Sequence, residues 1–111
     1  MLITEHKDFI SETELQTLWA LCVCSDNWRF GQKSNNDTVY PMWFQGYYDT
    51  FRSQYKPGIP EKIVEIGDRF IDLISEEYCL VRNMLAGNTF GQDGDIHDDW
   101  PTAGESITGV L

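Results

Sequence analysis

The sequence predicts a single α+β domain, residues 1–111, in which helices come first and strands follow. Two observations lead to this class. Apolar residues recur at helical spacing in two segments of the first 77 residues, and glycine-punctuated, β-prone sequence follows from residue 78. With 41% apolar residues, a chain of 111 residues can bury one core. We therefore expect 1–77 to be mainly helical with an aromatic-rich loop region, and 78–111 to hold the first core strands.

The first helix is predicted over about residues 12 to 23. Ser11 and Glu14 have the spacing of a capping box, in which each side chain bonds the other residue's backbone N–H. The apolar residues that then recur at helical spacing are Leu15, Leu18, Trp19 and Cys22. This pattern predicts a helix that buries one face.

Residues 26–58 are rich in aromatic and turn-forming residues, and they predict short strands near 27–31 and 38–44. A second helix is predicted over about 60 to 76, with Pro60 near its first position. Its apolar face comprises Ile63, Ile66, Phe70 and Ile74, and its solvated residues are Glu61, Glu65, Asp68 and Asp72. Gly67 is expected to weaken this helix slightly.

The β-prone part begins with a strand candidate at 78–85 and a glycine-rich turn that starts at Gly87. A short stretch at 95–100, a turn at 101–104 and a β-prone run at 106–111 follow. A sheet interrupted at its third strand leaves an apolar face uncovered and an edge unpaired. We therefore expect the natural reading frame to continue past Leu111.

Composition excludes several classes of partner. The net charge of −10, with eight scattered basic residues, disfavours nucleic acids and anionic membranes. No secretory signal and no apolar run long enough for a membrane helix is present in the sequence. The C-x-C spacing of Cys22 and Cys24, together with Cys79, predicts reduced, mostly buried thiols in a cytoplasmic protein. Nothing in the pattern indicates an oligomeric state.

The candidate metal site is the pair His97 and Asp99. In a strand, residues two apart point to the same face, so both side chains can reach one metal ion while Asp98 points away. Two histidines and one carboxylate on one face are the ligands of non-haem Fe(II) oxygenases. The spacing here supplies two of these three ligands, and the third is expected beyond Leu111 because His6 precedes the first helix.

The segments around this pair are Leu80–Gly87, Asn88-Thr89-Phe90-Gly91, Ile96–Asp99 and Ile107–Leu111. From residue 78 to 111 the chain resembles the prolyl-4-hydroxylase-like branch of the 2-oxoglutarate/Fe(II) oxygenase superfamily. The resemblance implies a double-stranded β-helix of jelly-roll or cupin-like type, preceded by helices. It also implies a dioxygenase that uses Fe(II), 2-oxoglutarate and O₂ to hydroxylate a peptidyl proline, a free amino acid or another small molecule.

The same resemblance assigns roles near the turn. Asn88 would hydrogen-bond 2-oxoglutarate and Phe90 would wall the cavity, although both residues also suit a plain turn. A tyrosine that the family often has before its glycine turn is replaced here by Met84 or Asn88. The distal histidine and the basic residue that pairs with 2-oxoglutarate belong to later strands, so this chain alone is expected to be inactive.

Other functions stay open at this stage. The alternating residues Asp93, Asp95, His97 and Asp99 could form a calcium loop, but the EF-hand template fails because Asp98 and Gly104 stand at its sixth and twelfth positions. A non-catalytic cupin-like binding domain is a further alternative. A nucleic-acid demethylase is a further alternative, although the net charge of −10 disfavours binding to nucleic acid. A zinc hydrolase is disfavoured because the sequence contains no H-E-x-x-H or comparable spacing.

Overall fold

The computed structural model describes residues 3–33, 41–74, 77–88 and 106–111. Its elements in chain order are α1 (Glu12–Leu18), a π-helix (Trp19–Val23), β1 (Arg29–Gln32), β2 (Met42–Gly46), β3 (Tyr48–Asp49), β4 (Gln54–Tyr55), α2 (Glu61–Ile74) and β5 (Met84–Gly87). These helices and antiparallel sheets confirm the α+β class. Neither α-helix in the described part is long and apolar enough to cross a membrane.

The predicted first helix is confirmed, and it has two parts. Ser11 Oγ accepts a hydrogen bond from Glu14 N at 3.1 Å, and Glu14 Oε1 accepts one from Ser11 N at 3.2 Å, which completes the capping box. After Leu18 the backbone widens into one π-helical turn, closed by the bond from Cys24 N to Trp19 O at 3.0 Å. Such turns are rare, and they change which carbonyl groups are left for other partners.

Helix α2 is confirmed over Glu61–Ile74, with the expected division of its faces. Ile63 and Ile66 are buried, whereas the four predicted acidic residues are all exposed. Ile63 belongs to a core cluster with Cys22 and Tyr47. The partly buried residues around that cluster are Leu18, Tyr55, Ile59 and Leu85. The core therefore lies between the helices and the strands.

An ion-pair network joins the first turn of α1 to α2. Arg69 Nη1 and Nη2 donate to the two carboxylate oxygens of Glu14 at 2.9 and 2.7 Å, and Lys62 Nζ lies 3.4 Å from Glu14 Oε2. These bonds, first of all those from Arg69, lower the pKa of Glu14 to about 2. Arg69 also donates to Phe9 O at 2.9 Å, and its guanidinium lies over the Phe9 ring. One arginine thus fixes the N-terminal segment and α1 against α2.

Two antiparallel sheets complete the fold. The larger has the strand order β1-β2-β5, and the smaller is the β3–β4 hairpin. The short strand predicted near 27–31 corresponds to β1, displaced by a few residues. β2 covers the end of the strand predicted near 38–44, of which residues 38–40 lie outside the described part. The β3–β4 hairpin was not predicted, because two-residue strands are too short to show a period-two pattern.

The strand predicted at 78–85 is wrong over most of its length, because β5 is Met84–Gly87. Its neighbour β2 ends at Gly46, which pairs with Met84, so residues before 84 have no ladder to join. Isolated hydrogen bonds fix these residues instead. Asn83 O accepts from Tyr47 N at 2.9 Å, and Val81 O accepts from Thr50 Oγ1 at 2.6 Å. The glycine that was expected to begin the turn, Gly87, is the last residue of β5.

The run at 106–111 was expected to be a strand, and the structure has no strand there. Gly109 instead lies against the side of α2. A Cβ atom on Gly109 would stand 2.7 Å from the Phe70 ring, so the backbone itself makes this contact. The apolar side chains that predicted a strand, Ile107, Val110 and Leu111, are exposed.

Candidate functional site

The sequence-predicted site residues fall into two groups. His97, Asp99 and Phe90 lie outside the residues that the structure describes. Asn88 is described: it is exposed and directly follows the last residue of β5. The structure therefore describes the chain up to Asn88, nine residues before His97, together with the strand that leads to the H-x-D segment.

Strand β5 is held firmly by its neighbours. It pairs with β2 through four antiparallel positions, from Gly46 and Met84 to Trp43 and Gly87. Leu85 packs against the core cluster. Asn88 thus leaves the sheet from a strand whose backbone and core-facing side chain are both fixed.

An aromatic cleft lies beside Asn88. Trp28, Trp43, Gly87 and Asn88 line it, and its volume is about 330 Å³. Trp28 Nε1 donates to Val23 O at 3.0 Å, and the Trp28 ring lies over Gly87. The Trp43 ring packs against Phe30, with 5.0 Å between ring centroids. The sequence shows these aromatic residues but not their proximity, since only the pairing of β1, β2 and β5 brings them to one end of a sheet.

The larger sheet has two unlike faces. Opposite residues in antiparallel strands share a face, so Gln45 lies with Leu85, and Phe44 lies with Ala86 and Arg29. The face of Gln45 and Leu85 packs on the helical core. Phe44 and Ala86, on the other face, do not belong to that core cluster. The sheet therefore packs one face on the helical core and carries Phe44 on the other.

Metal-ligating side chains do not gather elsewhere in residues 3–33, 41–74, 77–88 and 106–111, where no three His, Cys, Asp or Glu side chains could hold one ion. His6 lies in an open cleft beside Phe9, Arg69 and Asp72. Two of the guanidinium nitrogens of Arg69 are already engaged by Glu14 and the Phe9 carbonyl. This cleft is consequently not a second ligand set, and His97 and Asp99 remain the candidates.

A buried polar cluster supports the sheet from the helical side. Gln45 is 5% exposed, and its Nε2 donates to Cys22 O at 2.7 Å, a carbonyl of the π-helix. Its Oε1 accepts from Tyr47 Oη at 3.1 Å and from Ser25 Oγ at 3.2 Å. Burial raises the pKa of the Tyr47 hydroxyl, which therefore stays protonated as a donor. The cluster explains how a glutamine is tolerated in the core.

The cysteines are all free, as predicted, but the expectation that they are mostly buried is wrong. Cys22 is 3% exposed, whereas Cys24 and Cys79 are exposed. Cys24 directly follows the π-helix, and Cys79 lies in the segment before β5 that pairs with no strand. Burial raises the pKa of the Cys22 thiol, which makes its reactive thiolate scarcer still.

Native alkylation should therefore modify two cysteines and spare the third. With iodoacetamide at neutral pH, Cys24 and Cys79 are expected to react at the rate of free thiols, and Cys22 at least about 100-fold more slowly, because it is buried and its thiolate is disfavoured. Mass spectrometry of timed samples measures this. A Cys24→Ser/Cys79→Ser variant isolates Cys22, which should react only after denaturant is added. Equal labelling of all three in the native protein would contradict the burial of Cys22.

Comparisons with protein-family models, with curated protein sequences and with solved structures gave no match. The function is consequently inferred from the residues of this chain and from the geometry of β5 and its neighbours.

Proposed function

We propose that the protein is a 2-oxoglutarate- and Fe(II)-dependent dioxygenase, in which His97 and Asp99 are two of the metal ligands. The observation that carries the proposal is the H-x-D spacing, in a segment that follows the core strand β5. The substrate class proposed is a small molecule or a peptide, including peptidyl proline.

The donor set suits the metal. One imidazole and one carboxylate two residues apart present a nitrogen and an oxygen ligand from the same face of an extended segment. A third protein ligand completes a facial triad and leaves positions for a bidentate co-substrate and O₂. The chemistry that Fe(II) supplies when bound is the oxidative decarboxylation of 2-oxoglutarate to succinate and CO₂, coupled to hydroxylation of a C–H bond.

The arrangement of layers supports a double-stranded β-helix. That fold packs two sheets face to face, so its larger sheet needs one face for helices and another for the opposing sheet. The described β1-β2-β5 sheet has this division, with Leu85 turned to the helical core and Phe44 on the other face.

Asn88 and the aromatic cleft support the placement of the site. The exposed carboxamide of Asn88 is free of the strand ladder, and we assign it a hydrogen bond to 2-oxoglutarate. Trp28 and Trp43 line an apolar cleft beside Asn88 at that end of the sheet. Phe90 is assigned to a wall of the site by sequence position alone.

Turnover of the co-substrate by the natural protein, expressed from its complete reading frame, tests the proposal. With Fe(II), O₂ and 2-oxoglutarate, the protein is expected to release succinate above a protein-free blank, and calcium or zinc in place of iron should give none. Binding of 2-oxoglutarate, measured by calorimetry, should require a divalent metal such as Mn(II). Metal-independent binding together with an absence of succinate would overturn the assignment.

A further inference from the structure

The tip of the β3–β4 hairpin presents one aromatic side chain entirely to solvent. Phe51 is 102% exposed, in the four-residue turn between Asp49 and Gln54. The other large apolar residues of the described part that are more than 80% exposed, Val110 and Ile3, lie close to a terminus. Phe51 is different because it lies in the interior of the chain on an ordered turn. Packing of the Phe51 ring therefore does not stabilise the turn.

Hydrogen bonds hold the turn in one conformation. Asp49 Oδ1 accepts from Phe51 N at 3.0 Å and from Arg52 N at 3.1 Å. Thr50 Oγ1 donates to Val81 O at 2.6 Å and so fixes the tip to the segment before β5. Ser53 adopts a φ of 52°, a left-handed conformation that costs a non-glycine residue free energy. The turn is thus kept in a strained conformation that projects Phe51.

The base of the hairpin is also rigid. The Tyr48 and Tyr55 rings pack edge to face, with 5.2 Å between their centroids, and Lys56 N donates to Tyr47 O at 2.9 Å. Tyr47 is 5% exposed and belongs to the core. A binding element that is ordered beforehand loses little conformational entropy when it meets a partner.

The charge around the tip is opposite to that of the whole chain. The chain has 18 acidic and 8 basic residues, but residues 41–60 contain two cations, Arg52 and Lys56, and one carboxylate, Asp49. Arg52 remains 75% exposed, with its Nε 3.8 Å from Asp49 Oδ2. Arg82, next to Val81, is exposed as well. Aromatic residues and arginine are both enriched at the cores of protein interfaces.

We propose that the tip of the β3–β4 hairpin is a protein-binding knob. Phe51 inserts into an apolar pocket of a partner protein, and Arg52 pairs with a carboxylate at the rim of that pocket. A protein pocket is favoured over a lipid bilayer as the binding partner of this single ring, because a pocket would contact only the cationic tip. An anionic membrane surface would face the net charge of −10 as well. This inference is independent of the metal site.

Photo-crosslinking followed by affinity measurement tests the knob. Position 51 is replaced by the photoreactive p-benzoyl-phenylalanine in the source cells, and the crosslinked protein is identified by mass spectrometry and purified. Its affinity is then measured for the wild type, Phe51→Ala, Arg52→Glu and the control Trp19→Ala. Phe51→Ala is expected to weaken binding about 30-fold and Arg52→Glu at least about 5-fold. Trp19 is also exposed but lies on the π-helix, so Trp19→Ala should leave the affinity for the partner unchanged.

Stability and competing partners are checked in the same experiment. Phe51→Ala should unfold at the wild-type temperature, because the ring buries no surface. The proposal is overturned if no protein is crosslinked, if the identified protein binds Phe51→Ala as tightly as the wild type, or if only a second copy of the chain is captured. Phe51-dependent sedimentation with phosphatidylserine vesicles would assign the tip to a membrane and would overturn it too.

Discussion

His97→Ala and Asp99→Ala are each expected to lower 2-oxoglutarate turnover by the natural protein at least about 100-fold. Even groups that only orient metal ligands contribute about 10- to 100-fold in affinity or activity, so loss of a ligand should cost no less. Succinate release measures turnover, and Mn(II) affinity measured by electron paramagnetic resonance reports the metal site without requiring catalysis. Both quantities should fall together in both variants.

Asp98→Ala is the matched control, since Asp98 lies between the two ligands and points to the opposite face of a strand. It should leave turnover and Mn(II) affinity within about twofold of the wild type. A calcium loop would reverse the pattern, because calcium prefers oxygen ligands. In that case Asp93→Ala and Asp98→Ala would weaken metal binding, and His97→Ala would have a small effect.

The helices could be predicted because their determinants are local in sequence. The capping box needs only Ser11 and Glu14, and α2 follows from apolar residues at helical spacing. What the sequence could not provide is the second use of Glu14, whose carboxylate binds Arg69 from 55 residues away. The spacing of a capping box carries no information about a distant arginine.

The strands were predicted less well because their limits depend on pairing. β5 begins at Met84 since its partner ends at Gly46, and no pattern within 78–85 records that limit. The run at 106–111 has strand-like composition, but Gly109 packs on Phe70 of α2. Tertiary contacts overrode β-propensity in both segments, as is common for short strands.

In the candidate site, too, the local features could be predicted from the sequence and the long-range ones could not. The geometry of His97 and Asp99 depends on covalent spacing in an extended chain, which is local and can be read from the sequence. The cleft of Trp28 and Trp43 beside Asn88 depends on three strands, of which β2 and β5 pair across 38 to 44 residues of chain. Only the folded sheet reveals it.

Gly67→Ala is expected to destabilise the protein by about 2 kcal/mol, as overpacking commonly does. For a chain of this size this corresponds to a fall of roughly 10 °C in the melting temperature. Helix propensity alone predicts the opposite, since alanine is favoured over glycine by about 1 kcal/mol inside a helix. Gly67 is buried, however, and a Cβ atom there would overlap the hydroxyl of Tyr55. Calorimetric melting of the two proteins measures the difference.

Tyr55 cannot easily move aside, which is why the overlap should be costly. Its ring packs against Tyr48 at 5.2 Å, and its hydroxyl accepts a hydrogen bond from Asn83 Nδ2 at 3.3 Å. Tyr55→Phe removes the overlapping oxygen, so Gly67→Ala should cost about 1 kcal/mol less in that background. Asp72→Ala, at an exposed position of the same helix, is the control for propensity and should change stability by no more than about 0.5 kcal/mol. A rise in melting temperature for Gly67→Ala in the wild-type background would show that α2 and Tyr55 do not approach each other as described.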